Sequence, residues 1–307
     1  MRFPGDATAE RRGLGGVLAD WVDLTKARIG LFVFFAAWVG AALAVSAGGP
    51  AGGAGTWTSA LEPAFYIFLV GAGSSVFNQV YERDTDRLME RTADRPLPAG
   101  RVRTAHAIAA GTLLGGTGTI ALAVTSGSLA ALLALATLVG YALVYTPLKR
   151  LTTHNTLIGA IPGAMPPLLG FVAVAGEAGA WGWFLFLVIF VWQFPHFMAI
   201  AWIFRDDYRA AGMRMLPSLP GAEGLAGRNA LLYSLVLLPV SLYPGVVAQA
   251  GPVYMTAATV LGLIYAGFSL AFAMEETHAR ARRLLWASLV HLPLLLVAAL
   301  VEAGLAA

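Results

Sequence analysis

Cysteine is missing from all 307 residues. That excludes a disulfide framework, a thiolate metal centre and a thiol nucleophile. Charge is scarce too: Asp, Glu, Lys and Arg make up 12% of the chain, against about 25% in an average soluble domain. A soluble globule of this length could not cover its surface with so few charges. Disorder is excluded for the opposite reason, because 58% of the residues are hydrophobic and unfolded chains are poor in apolar residues. The strand alternation of a membrane barrel is missing as well. What remains is an all-α polytopic membrane protein, whose helices satisfy backbone polar groups inside the lipid core.

Uncharged stretches divide the chain. Residues 29–61, 63–81, 104–148, 151–176, 178–204, 229–274 and 284–301 contain no Asp, Glu, Lys or Arg. A spanning helix takes about 20 apolar residues, so 104–148 and 229–274 are each double length. They break at Thr125-Ser126-Gly127-Ser128 and at Gln249-Ala250-Gly251-Pro252, both turn-forming. This predicts nine transmembrane helices. The first, Ile29–Ala47, exceeds the roughly 7–15 apolar residues of a signal peptide and reads as a retained span. Residues 1–28 read as a cytoplasmic segment, disordered over its Gly- and Arg-rich opening of about 20 residues, and 29–304 as one membrane domain. All 20 Lys and Arg fall in that segment and in loops 82–103, 149–156, 205–228 and 275–283. The bias places the N-terminus in the cytoplasm and the C-terminus outside. Membrane lipid is the implied surrounding, and nothing points to a nucleic acid. Pro162, Pro166, Pro167 and Pro195 lie inside spans and predict kinked or unwound helices around a central cavity.

The acids are lopsided as well, with only Glu62, Glu177 and Glu302 of the 17 on the outer side. If the second helix continues past residue 81, Asn78, Glu82 and Asp86 form one i, i+4 ridge. An amide and two carboxylates in a row are hard oxygen ligands that suit Mg²⁺ sharing its shell with substrate phosphates. Acid–base alternation here is equally the pattern of a solvated helix end. After the sixth helix, Asp206 and Asp207 are adjacent, and a bound cation would relieve their repulsion. Two such clusters on one side suggest a bipartite site for Mg²⁺ and diphosphate. Lys26, Arg28, Lys149 and Arg150, at helix ends on that side, are candidates for the remaining phosphate charge. Each is also accounted for by positive-inside anchoring. Among the five histidines, His196 stands out because a continuous helix puts it on the same face as Asp207, three turns away or about 16 Å at ~1.5 Å per residue. That offset is too long for a shared Mg²⁺ and fits contact with a second, larger substrate. A buried His satisfied by a neighbour would have the same pattern.

Five ordered segments carry a resemblance. They are Asp23 through Ile29; Asn78 through Gly100, with Met89-Glu90-Arg91-Thr92 and Arg95-Pro96-Leu97-Pro98-Ala99-Gly100; Tyr145 through Arg150 with Asn155; Gly163 through Gly170; and Pro195-His196-Phe197 through Asp206-Asp207-Tyr208 to Pro217. Together they resemble the UbiA superfamily of intramembrane prenyltransferases. That family's first motif is Asn-x-x-x-Asp-x-x-x-Asp, and here Glu82 stands at the middle position, with Asp84 nearby. Its usual second motif, Asp-x-x-x-Asp, is absent, and Asp206-Asp207-Tyr208 is similar to the heme-farnesylating branch. The resemblance implies a UbiA-like bundle and transfer of a farnesyl group from farnesyl diphosphate to a vinyl group of heme b. Water adds in the same reaction, and the products are heme O and diphosphate. It implies Mg²⁺ held by Asn78, Glu82, Asp86, Asp206 and Asp207, and heme as substrate rather than cofactor. Arg95, Tyr145 and Tyr208, in the same segments, join Lys26, Arg28, Lys149, Arg150 and His196 as expected substrate-binding residues. It also implies a bacterial inner membrane and a heme A synthase or oxidase-assembly partner. Prenylation of an aromatic ring such as 4-hydroxybenzoate, or membrane transport, are the rival readings.

Overall fold

Ten long helices account for most of the chain in the computed structural model, which describes residues 13–48 and 56–306. They are α1 (Leu14–Leu24), α2 (Ala27–Ser46), α3 (Leu61–Asp86), α4 (Thr104–Thr125), α5 (Ser128–Leu148), α6 (Asn155–Ala175), α7 (Ala180–Ile203), α8 (Leu225–Val247), α9 (Pro252–Met274) and α10 (His278–Ala306). No strand forms among the described residues. Eight helices, α2 and α4–α10, are long and apolar enough to cross a membrane, and the protein is an integral membrane protein. The remaining expected span, 63–81, lies within α3. Its 26 residues are diluted by Glu62, Ser74, Ser75, Asn78 and Gln79, and it buries Asn78, Gln79, Glu82 and Asp86 inside the bundle.

The reading of disorder at the N-terminus falls partly on residues 1–12, outside the described residues. From Leu14 onward it is corrected, because α1 is tied down. Leu24 is fully buried. The Gln79 amide of α3 donates to the carbonyls of Asp23 and Leu24 at 2.9 and 3.2 Å, and Arg101 pairs with Asp20 at 2.8 Å.

Neighbouring helices close a ring in which α2 packs on α3, α3 on α4, then α4 on α5 and so on to α10, which returns to α2 and α7. The closest crossings rest on glycine. A Cβ on Gly40 of α2 would lie 1.9 Å from the Pro167 carbonyl oxygen of α6, and one on Gly170 of α6 would lie 1.9 Å from the Ala37 carbonyl oxygen. Such contact of backbone on backbone is the small-residue mode of membrane helix association. Large apolar side chains such as Leu113, Val124, Leu132 and Leu263 stay exposed on the outside of the ring, where lipid tails replace water as solvent.

Pro162, Pro166 and Pro167 lie inside α6 and Pro195 inside α7, and both helices run on without unwinding. Each proline removes one ladder hydrogen bond, but the packing of α6 between α2 and α7 holds the helical path. Backbone irregularity appears instead in α5, where Gly140–Tyr145 is a π-helical turn. Such turns recur at functional sites, and this one carries Tyr141 and Tyr145.

Candidate functional site

The last two turns of α3 carry a ladder of three polar side chains, each held by a cation from a different part of the chain. Asn78 Oδ1 accepts from Lys26 Nζ at 2.6 Å. Glu82 Oε1 accepts from Lys149 Nζ at 2.7 Å. Asp86 Oδ2 accepts from Arg95 Nη1 at 2.9 Å. All three ladder residues are buried. Because α3 stays helical to Asp86, the i, i+4, i+8 spacing aligns them on one face. Asp84 lies on another face, 72% exposed between Arg83 and Arg87. The acidic middle rung is therefore Glu82.

Local backbone explains how the cations arrive. Lys26 links α1 to α2 in the left-handed conformation, φ 49°, an uncommon one for a side chain of this size, and its ammonium ends at Asn78. Arg28, two residues on, is exposed and makes no ion pair among the described residues. Lys149 follows the end of α5, and its ammonium also lies 4.7 Å from the centre of the Tyr145 ring. Arg150 is exposed, without an ion pair among the described residues. Two of the four candidate end cations thus reach the ladder and two do not.

The ladder's electrostatics follow from burial against pairing. Burial pushes the Glu82 carboxyl up, but Lys149, Lys26 and Arg95 hold it below its ordinary value. At Asp86 burial wins over Arg95, and the carboxyl sits above the usual range. Burial pulls Lys149 down, and the Glu82 carboxylate more than offsets this. Asp86 Oδ1 is buried and has no hydrogen-bond partner, and an unpaired buried carboxylate oxygen is costly. A hard cation placed beside it would satisfy it. The oxygens of Asn78, Glu82 and Asp86 therefore fit Mg²⁺.

The second acid cluster sits apart from the ladder. Asp206 is exposed and pairs with Arg209 at 2.9 Å, and Asp207 is half-buried. The short helix Arg205–Ala210 turns Asp206 outward. Among the described residues no three His, Asp or Glu side chains gather as a metal cage. The loops nevertheless meet. Met89 packs with Ala201, Ala211, Met213 and Met215, with Tyr208 against them. The Arg91 guanidinium stands 4.8 Å over the Phe204 ring, and Arg214 N donates to the Lys149 carbonyl at 2.8 Å.

A cavity of about 410 Å³ opens behind the ladder, within the bundle. Lys26, Tyr141 and Tyr145 line one part of it, and Phe32, Leu169 and Trp192 make apolar wall. His196 also lines it, donor or acceptor to Ser288 Oγ at 2.7 Å and stacked on Trp192 at 4.8 Å. Thr146 and Ser288 escaped sequence reasoning. Thr146 accepts from Asn78 Nδ2 at 3.0 Å and steadies the first rung. No local pattern marks either residue, because their partners lie 68 and 92 positions away.

The UbiA prenyltransferase family model matches residues 30–292. A protoheme IX farnesyltransferase of Koribacter versatilis (strain Ellin345) is 40% identical over 295 residues, covering 93% of each chain. One of Solibacter usitatus (strain Ellin6076) is 37% identical over 287 residues, covering 91% of this chain and 96% of the relative. A structure of digeranylgeranylglyceryl phosphate synthase superposes with a TM-score of 0.75 at 17% identity, covering 93% of this chain and 98% of the other. A UbiA homologue from Archaeoglobus fulgidus bound to DMAPP and Mg²⁺ gives 0.64 at 16% identity, covering 93% and 99%. At these identities the two structures speak to the fold alone.

Proposed function

The chain belongs to the UbiA prenyltransferase family, and from that premise we propose that it transfers the farnesyl group of farnesyl diphosphate to a vinyl group of protoheme IX (heme b), with addition of water, giving heme O and diphosphate. The similarity to protoheme IX farnesyltransferases over more than nine-tenths of the chain supports this choice of acceptor. The observation that carries it is the meeting of two environments at one residue: Lys26 binds the first rung of the acid ladder and lines the apolar cavity. A diphosphate at the ladder would direct its isoprenoid tail into that cavity, whose size lies within the 300–1,000 Å³ usual for ligand pockets.

Asn78, Glu82 and Asp86 would hold Mg²⁺ at the ladder, and Asp206 and Asp207, which stand apart from it, would meet the metal-diphosphate only from its far side. Bound there, the ion supplies Lewis-acid stabilisation of the leaving diphosphate. Lys26, Lys149 and Arg95 neutralise and orient phosphate oxygens, Lys and Arg being suited to these as point charge and fork. Tyr145 and Tyr208 flank that end. The apolar wall keeps water from the allylic carbon until the vinyl π electrons form the new carbon–carbon bond. His196, deeper in the cavity, contacts heme b. The ladder lies at the end of the bundle that carries the basic loops, so the site faces the cytoplasm of a bacterial cell, with the N-terminus inside and the C-terminus outside. A heme A synthase or oxidase-assembly protein would take the product onward.

Purified protein given farnesyl diphosphate, heme b and Mg²⁺ should release diphosphate only when all three are present. The heme should gain the mass of a farnesyl group plus water. Prenylated 4-hydroxybenzoate with untouched heme would refute the acceptor. Solute movement without diphosphate release would refute the enzyme.

A further inference from the structure

His196 sits on a stretch of cavity wall formed by Trp192, Phe197, Ile200, Leu289 and Pro293. Its two ring nitrogens are not equivalent. Nδ1 lies 2.7 Å from Ser288 Oγ, and that hydroxyl, fully buried, also lies 2.5 Å from the backbone carbonyl oxygen of Leu285, one turn earlier on α10. Two oxygens this close need a hydrogen between them. A serine hydroxyl has one hydrogen and two lone pairs. With its hydrogen on the Leu285 carbonyl, Ser288 Oγ can only accept from His196. That pairing matches an imidazole with its hydrogen on Nδ1 and its lone pair on Nε2, and Nε2 has no hydrogen-bond partner among the described residues. Further contacts hold this arrangement in place. The Trp192 indole stacks on the imidazole with an interplanar angle of 22° and donates its N–H to the Ser288 carbonyl at 3.1 Å. Tyr265 OH donates to the Trp192 carbonyl at 3.3 Å.

We propose that His196 Nε2 holds the water that completes the reaction and takes its proton, with Ser288 as the residue that positions the ring and sets its tautomer. The inference rests on the heme-farnesylation reading above. The steps balance as follows. The C1–O bond of farnesyl diphosphate breaks, and diphosphate leaves with the electron pair. The vinyl π electrons form the bond to farnesyl C1, leaving a cation on the vinyl carbon next to the porphyrin. A water oxygen lone pair bonds to that carbon, and the O–H proton passes to Nε2. The imidazolium then returns the proton to solvent or to the departing diphosphate. An acceptor on this mostly apolar stretch of wall keeps one water at the vinyl end of the cavity and away from the allylic carbon at the ladder.

Product mass distinguishes this role from simple heme binding. In the wild-type protein the farnesylated heme should be almost all hydrated. In His196→Ala diphosphate release should continue, and the ratio of hydrated adduct to adduct lacking the elements of water should fall at least tenfold, because the unquenched cation loses a proton instead. Ser288→Ala should shift the ratio in the same direction, and Ser288→Thr, which keeps the hydroxyl, should restore it. In Ser288→Ala, which keeps the imidazole in place to contact heme, heme affinity and the heme absorption spectrum should not change. An unchanged product ratio in both alanine variants overturns the proposal. So does loss of an iron-ligand signature from the heme absorption spectrum in His196→Ala, which would put Nε2 on the heme iron. Should His196→Ala not fold, Ser288→Ala decides alone. A wild-type protein that makes no farnesylated heme would instead defeat the parent reading.

Discussion

Three rungs on one face of α3 show how little the residue type alone decides. Glu82 and Asp84 are both carboxylates in the same helical segment, yet one is buried on Lys149 and the other is solvated beside Arg83. The same contrast separates Lys26 from Arg28, with one ammonium on Asn78 and one side chain exposed. Two predictions belong to this scale. Glu82→Gln should cut turnover at least tenfold, or about 1.4 kcal/mol of transition-state stabilisation, and Glu82→Asp should keep much of it; near-normal turnover in Glu82→Gln would make that carboxylate a mere helix-end charge. Lys26→Ala should likewise weaken diphosphate binding, read with inorganic diphosphate by calorimetry, whereas Arg28→Ala and Arg150→Ala should bind it almost as the wild type does. The i, i+4 ridge was legible because helical periodicity is local. The choice of cations was not, since Lys149 and Glu82 are 67 positions apart.

At the scale of elements, the spans follow from uncharged length, and the crossings follow from glycine. Where glycine matters can be read only from the neighbouring helix. Gly40 and Gly170 each abut a carbonyl of the opposite helix, while a Cβ on Gly116 of α4 would meet nothing within 4 Å. Gly170→Val should therefore lower thermal stability in detergent, in keeping with about 1–3 kcal/mol for overpacking. Gly116→Ala should hold or raise it, by up to about 1 kcal/mol of helix propensity. Equal melting temperatures for the two variants would contradict the close crossing of α2 and α6. The prolines teach the complementary lesson. Four of them sit inside α6 and α7 without ending either helix, because packing on both sides outweighs the loss of single ladder bonds. The irregular turn lies instead at Gly140–Tyr145, where no proline stands and no sequence signal marks it.

For the whole molecule, every basic loop gathers at one end and the acid ladder sits at that end, between α1, α3 and the loop after α5. The absence of native cysteine makes the orientation directly testable. Leu88 and Val246 are 61% and 77% exposed, at opposite ends of the bundle. In sealed cells Leu88→Cys should resist an impermeant thiol reagent and Val246→Cys should react; the reverse pattern would invert the topology.

The sequence by itself determined the class, most of the spans and the gathering of the acids and bases in alternate loops. These depend on how many apolar residues run together and where charges interrupt them, which are properties of contiguous chain. It also determined the family, because five motifs in order survive without any knowledge of their contacts. The tertiary structure alone decided which cation meets which rung and that the acids of the two loops do not converge into one cage. It decided as well that a serine on α10 meets the imidazole of a histidine on α7. Those are pairings between residues tens of positions apart, made by helix packing and burial, and nothing in local spacing encodes them.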